Sequence, residues 1–407
     1  MEAQDIQGIA IIIDDQINDK NANINKIVDQ LNTSNVPFIK FTAIPSDEIV
    51  KHFHGISFVI LDWDLKGDLL DEETLYSGVK LPESVSKDSQ EKTINFIRLI
   101  KNKCFSPVFI LTNHSPEDIK KALNDNDVLL DGKPNFVFVK SKSDVTEGKL
   151  FSEILAWIKN SPSIYVLNEW EREYFKAKNK LFSDFYDMSP AWPKVLWKTS
   201  SNDGINASLN LGNIISRNLH TRMSPFEFDE SIIYECNYNA DIDETRAVIQ
   251  GERFIDKDGL HDDSISTGDM YCISQKLYIN IRPECDCVIN RNQGQDGADA
   301  DVELYLLRVN TMNKKKETEE FNSKYGSLNE PEVGAVVFCM YKNKSIRLSF
   351  KDIKIKKWSE IKDKRVGRLL PPYITRIQQR YSHYLQRQGQ PRIPDIAIAP
   401  EGEEESN

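Results

Sequence analysis

Four runs in the first 140 residues are apolar at every position: Ile9-Ala-Ile-Ile-Ile13, Phe58-Val-Ile-Leu61, Val108-Phe-Ile-Leu111 and Phe136-Val-Phe-Val139. A strand with one wet face alternates apolar and polar residues, whereas a strand covered on both faces need not. Unbroken runs of this length therefore predict parallel strands held between two layers of helix. Between them the apolar period lengthens to that of a helix. Ile24, Ile27, Val28 and Leu31 share one face of a helix predicted over 17–31. Ile94, Ile97, Leu99 and Ile100 mark another over 93–100, and Ser115-Pro116-Glu117 supplies a capping residue and a first-turn proline for a third. A last helix over 150–158 ends before Ser161-Pro162. Strands alternating with helices predict an α/β, doubly wound parallel sheet over 1–160.

The pattern then changes twice. A helical connector is predicted over 163–193, with Trp170, Tyr174, Leu181 and Phe185 near one stripe, broken by Ser189-Pro190-Ala-Trp-Pro193. Beyond it, 194–393 reads as a mostly β output or interaction domain, expected to form a small barrel. Its short strands fall at 231–236, 268–274, 276–282, 302–309, 335–341 and 345–350. The segments 269–273 and 277–281, joined by Ser274-Gln275-Lys276, predict a hairpin. Residues 208–219 predict a helix, open to a helix-turn-helix reading but more simply part of the core. Pro371-Pro372 opens a C-terminal helix that Gly389 and Pro391 stop. The segment 290–301 reads as a polar, Gly-rich loop, and 394–407 as an acidic, disordered tail.

Each early strand closes on a residue with chemistry to offer: Asp14 and Asp15, Asp62, Thr112 and Lys140. Ligands of open parallel sheets bind beyond the carboxyl ends of the strands, so these side chains are expected on one rim. The acids at Asp14, Asp15 and Asp62 offer Mg2+ the hard oxygen ligands it prefers. A carboxylate held there can act as a nucleophile and form an aspartyl phosphate. Lys140 would offset phosphoryl charge and the Thr112 hydroxyl would donate to a phosphoryl oxygen, which is most of what phosphoryl transfer asks of a protein.

In this set and order the residues resemble the receiver domain of two-component response regulators, over roughly residues 5–160. The resemblance implies a five-stranded, flavodoxin-like fold with Asp62 as phosphoacceptor. It makes Asp15 a direct Mg2+ ligand, Asp14 a ligand through water, and the main-chain carbonyl of Asp64 a third. Phe138 matches the aromatic that, with Thr112, responds to phosphorylation. The implied partners are a histidine kinase and a downstream effector protein, the alternative being a phosphate sink. Nothing in this reading makes the chain an enzyme acting on an outside substrate. Ser141 stands where the family usually has a proline, and 66–90 reads as an inserted loop carrying Asp68, Asp71, Glu72 and Glu73. The whole chain is also similar to response-receiver proteins of bacterial antiphage two-component systems such as Detocs, through the segments GDMYCISQKLYINIRPECDC and GRLLPPYITRIQQRYSHYLQRQG.

Composition refines this. At 407 residues the chain has room for two or three domains. It contains no stretch of about 18 apolar residues, and MEAQDIQG is unlike a secretion signal, so a cytoplasmic protein without membrane contact is expected. The six cysteines follow no framework spacing, which suits a reducing compartment. A net charge of −11 argues against nucleic-acid binding by the whole chain, yet 340–393 holds fifteen Lys/Arg against three Asp/Glu. That basic region keeps open a phosphorylation-controlled nucleic-acid-binding regulator, with tyrosines available to stack. A third reading is a metal-dependent effector enzyme in the β domain. Its zinc would sit at Cys285 and Cys287 with Cys236, Cys272, His220 or His261, or its acids would be Asp241, Asp243, Glu244 and Glu252. A C-x-C pair without a second close pair is a weak zinc signal.

Overall fold

The structure, a computed structural model, describes residues 8–65, 83–145, 148–202, 206–287, 301–313 and 328–387 apart from positions 21, 131, 235, 237, 333 and 343, together with 315, 393, 394 and 397. The expected acids of the inserted loop at 68–73, the residues Gly389 and Pro391, nearly all of the 290–301 loop and the acidic end of the tail lie outside the described residues. The chain divides into two compact units, Met1–Trp192 with Ile214–Asn239, and Pro193–Asn213 with Ala240–Asn407.

The first unit begins with β1 (Ile9–Ile13), α1 (Ile24–Thr33), β2 (Phe38–Phe41), α2 (Asp47–Val50), β3 (Ile56–Asp62) and α3 (Glu83–Lys103). β4 (Val108–Thr112), α4 (Pro116–Asn124), β5 (Val137–Ser141), α5 (Lys142–Val145) and α6 (Leu150–Lys159) complete the alternation. Five strands form one sheet in the order β2-β1-β3-β4-β5, every pair parallel. All seven residues of β3 and all five of β4 are buried, which is why their sequence carries no polar alternation. The helices cover them with the expected faces: Ile24, Ile27, Val28 and Leu31 of α1 and Ile94, Ile97 and Ile100 of α3 are buried in the same core. This is a receiver-like α/β fold. Because the chain leaves β1 toward β2 on one side and β3 on the other, the strand order reverses there and a crevice opens at the carboxyl ends.

α7 (Pro162–Met188) follows, 27 residues or roughly 40 Å of helix, burying Ile164, Tyr165, Ala177 and Leu181. After α8 (Trp192–Asn202) and α9 (Ala207–Met223) comes α10 (Glu230–Tyr234), where a strand over 231–236 was expected. Asp229 decides this locally. Its Oδ1 accepts from the Ser231 amide at 2.9 Å and the Ser231 hydroxyl at 2.7 Å, the local bonding by which Asp starts a helix. Ile232 then packs into the first unit's core.

In the second unit α11 (Ile242–Arg253) leads into β6 (Phe254–Asp256), β7 (Asp269–Ile273), β8 (Lys276–Asn280) and β9 (Glu303–Thr311). β10 (Leu328–Glu332), β11 (Ala335–Tyr341), β12 (Lys344–Lys357), α12 (Trp358–Ile361), β13 (Arg365–Leu369) and α13 (Tyr373–Gln386) complete it. The eight strands form one antiparallel sheet in the order β10-β11-β12-β9-β8-β7-β13-β6, so it is open at β10 and β6 where a barrel was expected. The β7–β8 hairpin forms with a two-residue loop: Ile273 pairs with Lys276, and Ser274 and Gln275 take φ of 47° and 61°. Two consecutive positive φ values define the type I′ turn that matches strand twist. Gly268, at φ 91°, sits where a Cβ would lie 2.2 Å from the Leu369 carbonyl oxygen, so only glycine fits. α13 buries Ile374 and Ile377 against one face of the sheet. Among the described residues no helix is long and apolar enough to cross a membrane.

Candidate functional site

Asp14 is the first residue past β1 and Asp62 the last of β3, the two strands that flank the crevice. Asp14 is held by its surroundings: its amide donates to the Phe41 carbonyl at 3.1 Å, and its Oδ1 accepts from the Gln16 amide at 2.9 Å. The Asp62 Oδ1 accepts from the Asp64 amide at 3.4 Å. Both carboxyl groups are almost out of water, at 1% and 5% exposure, and Asp15 is half-buried beside them. Carboxylate oxygens of Asp14, Asp15 and Asp62 lie within 4.8 Å of one another.

The amine that meets these acids belongs to Lys142, and the expected Lys140 is corrected here. Lys142 Nζ stands 2.8 Å from Asp14 Oδ2 and 2.7 Å from Asp62 Oδ2, with a side chain only 3% exposed. Lys140 Nζ instead pairs with Glu153 on α6 at 2.9 Å, both side chains about one-third exposed. Register supplies the reason. Lys140 lies opposite Leu111, and Ser141 opposite Thr112, the last residue of β4. Lys140 is thus still inside the ladder, whereas Lys142, the first residue of α5, stands just past the end of the strand, at the rim. The apolar run stops at Val139, two residues before the strand does, and so pointed to the nearer lysine. A second lysine two positions on, immediately past the strand's last residue, was the available signal.

Thr112 is fully buried at the end of β4, and its Oγ1 accepts from the His114 amide at 2.9 Å. The imidazole of His114 reaches Asp64, Nε2 to Oδ2 at 2.8 Å. Phe138 is half-buried, edge-on to Phe109 at 5.8 Å between ring centroids and tilted against Trp157 at 5.9 Å.

Burial pushes the Asp62 carboxyl up to about 6; Lys142 opposes that rise and the neighbouring Asp14 adds to it. The Lys142 amine is itself raised: burial works against its charge, and the two carboxylates more than restore it. The Lys142 ammonium meets Asp14 and Asp62 while Asp15 stands beside them, so one positive charge among three carboxyl groups leaves the cluster short of positive charge when all are ionised. The donor set is hard oxygen throughout, and the buried acidic cluster can bind a metal ion.

Elsewhere, Asp241 and Glu244 form a reciprocal capping box at the start of α11. That accounts for two of the four acids considered for an enzyme of the β domain. Cys285 is exposed, Cys287 is buried beside Asn280, and among the described residues no group of Cys, His, Asp or Glu other than Asp14, Asp15 and Asp62 converges to ligand distance. No model of a known protein family matches the chain, and no curated protein matches it.

Proposed function

We propose that this protein is a phosphoacceptor of a two-component phosphorelay. The observation that carries the reading is the convergence of Asp14, Asp15 and Asp62 within 4.8 Å, with Lys142 bridging Asp14 and Asp62, at the carboxyl rim of a 2-1-3-4-5 parallel sheet. A carboxylate oxygen of Asp62 attacks the phosphorus of a phosphohistidine on a kinase partner. The P–N bond breaks, and the departing imidazole nitrogen takes up a proton.

The chain's own residues supply most of the positioning. Asp14, Asp15, Asp62 and the main-chain carbonyl of Asp64 would hold Mg2+, which when bound neutralises charge on the phosphoryl oxygens. Lys142 already lies against Asp62 and is the amine placed to pair with the new phosphoryl group in place of the carboxylate charge lost. The Thr112 hydroxyl accepts from the His114 amide, which leaves its proton to donate. Burial of Asp62 and Lys142 keeps competing water away from both. Phe138, packed on Phe109 and Trp157, is the aromatic through which the change is passed on to a downstream contact, or left silent if the protein is a phosphate sink. The likeness to response-receiver proteins of antiphage systems supports a role in defence against phage.

Incubation with Mg2+ and acetyl phosphate should label the wild type, with mass increased by one phosphoryl group. Asp62→Asn should take up none, Lys142→Ala should take up little, and Lys140→Ala should behave as wild type. Label persisting in Asp62→Asn contradicts the reading.

A further inference from the structure

The second unit places three anion-binding groups from three strands on one patch of its sheet. Tyr278 of β8 lies directly opposite Arg308 of β9, and Lys354 of β12 pairs with Leu306 two positions along. The Arg308 guanidinium carbon is 5.6 Å and Lys354 Nζ 5.3 Å from the centre of the Tyr278 ring, and both side chains hydrogen-bond the Tyr278 hydroxyl. Two cations therefore share one neutral oxygen. Among the described residues neither has a carboxylate partner. The Arg308 Nε is out of contact with solvent and has no hydrogen-bond partner there. A buried donor of a charged group left unpaired keeps its full desolvation penalty, and like charges brought together add to it.

The same sheet shows what a satisfied pair looks like. On β13, Arg368 Nε donates to Asp269 at 2.6 Å, and Arg365 lies 3.7 Å from that buried carboxylate. Arg365 and Arg308 occupy the same transverse row, through Tyr271 and Tyr278. One end of the row carries its own counter-ion and the other does not. Tyr278 is 3% exposed, so the base of the patch is fixed, while Lys354 is exposed and opens it to solvent.

We propose that Tyr278, Arg308 and Lys354 bind a phosphate of a single-stranded nucleic acid. The surroundings favour a repeating anion over an isolated one. Residues 344–364 contain eight Lys/Arg against three Asp/Glu in a chain whose net charge is −11. Lys354 and Lys356 stand at alternate positions of one extended strand, about 7 Å apart, a regular spacing suited to successive phosphates of a strand. Lys356 is shared with Glu360 at 3.2 Å, both exposed, a pair that a phosphate can open at small cost. With the aromatic face of Tyr278 buried, contact through the backbone and indifference to base sequence follow.

Fluorescence anisotropy of labelled oligothymidylate with the full chain tests this. Binding should weaken with salt, and Lys354→Glu should weaken it by about tenfold at low salt and flatten the slope of log K against log salt by about 0.7. Arg308→Gln should do the same, with its thermal unfolding followed in parallel. Lys176→Glu, an equal charge change at an exposed lysine of the first unit, should leave binding near wild type. Because Lys354 is exposed, its variant does not depend on a preserved core. The proposal is overturned by absence of binding at low salt, by Lys354→Glu acting no more strongly than Lys176→Glu, or by polyglutamate competing as well as unlabelled oligonucleotide. That last outcome would mark an acidic-protein site.

Discussion

Lys142 is the residue on which the first unit's rim depends. It is the shared counter-ion of two carboxyl groups that are almost wholly buried. Removing one partner of a buried ion pair costs about 3–5 kcal/mol, because the remaining charge stays desolvated. Lys142→Ala should therefore lower the denaturant midpoint of the first unit strongly. Lys140→Ala removes only a partly exposed pair with Glu153 and should cost under about 1 kcal/mol. Equal losses in the two variants would refute the assignment. Asp62 adds a pH dependence. Its carboxyl titrates near 6 in the folded protein, above the ordinary carboxylate range, so the folded state holds the proton more tightly than the unfolded chain does. The contribution is thus complete below pH about 4 and is lost as pH rises through about 6, by up to about 3 kcal/mol. Without divalent metal, Asp62→Asn should gain on the wild type across that window in urea titrations; a constant offset would show that Asp62 does not titrate there.

At the scale of the element, local chemistry explains both the successes and the failures of the apolar pattern. The uninterrupted runs became strands because both faces of β3 and β4 are covered. The run at 231–236 is equally apolar at its centre, yet Asp229 bonds twice to Ser231 and starts a helix. The β7–β8 turn shows the reverse case, a strand pairing strong enough to impose positive φ on Ser274 and Gln275, neither of which favours it. Ser274→Asn combined with Gln275→Gly should relieve that conformation and stabilise the second unit by about 1 kcal/mol, read as a higher melting temperature. A fall would mean that those side chains make contacts worth more than the backbone relief.

For the whole molecule, the acid cluster couples ligand binding to stability. A ligand that binds only the folded state at a hundred times its Kd stabilises by about 2.7 kcal/mol. Mg2+ should raise the first unfolding transition of the wild type, a chelator should reverse it, and Asp15→Ala should abolish the shift, all by calorimetry. A shift of the same size in Asp15→Ala would place the ion elsewhere. The second unit, with its own core and sheet, should show no such dependence.

Sequence alone determined the alternation of buried strands and amphipathic helices, the three acids and Thr112 at the ends of those strands, and the β7–β8 hairpin, since each is written in the residues of a short segment. Tertiary structure decided which lysine meets the acids, that the second sheet is open, and that Arg308 and Lys354 close on one tyrosine. Those outcomes depend on where strands from distant parts of the chain fall in register. A one-residue change in register would alter none of the local patterns but all of these meetings.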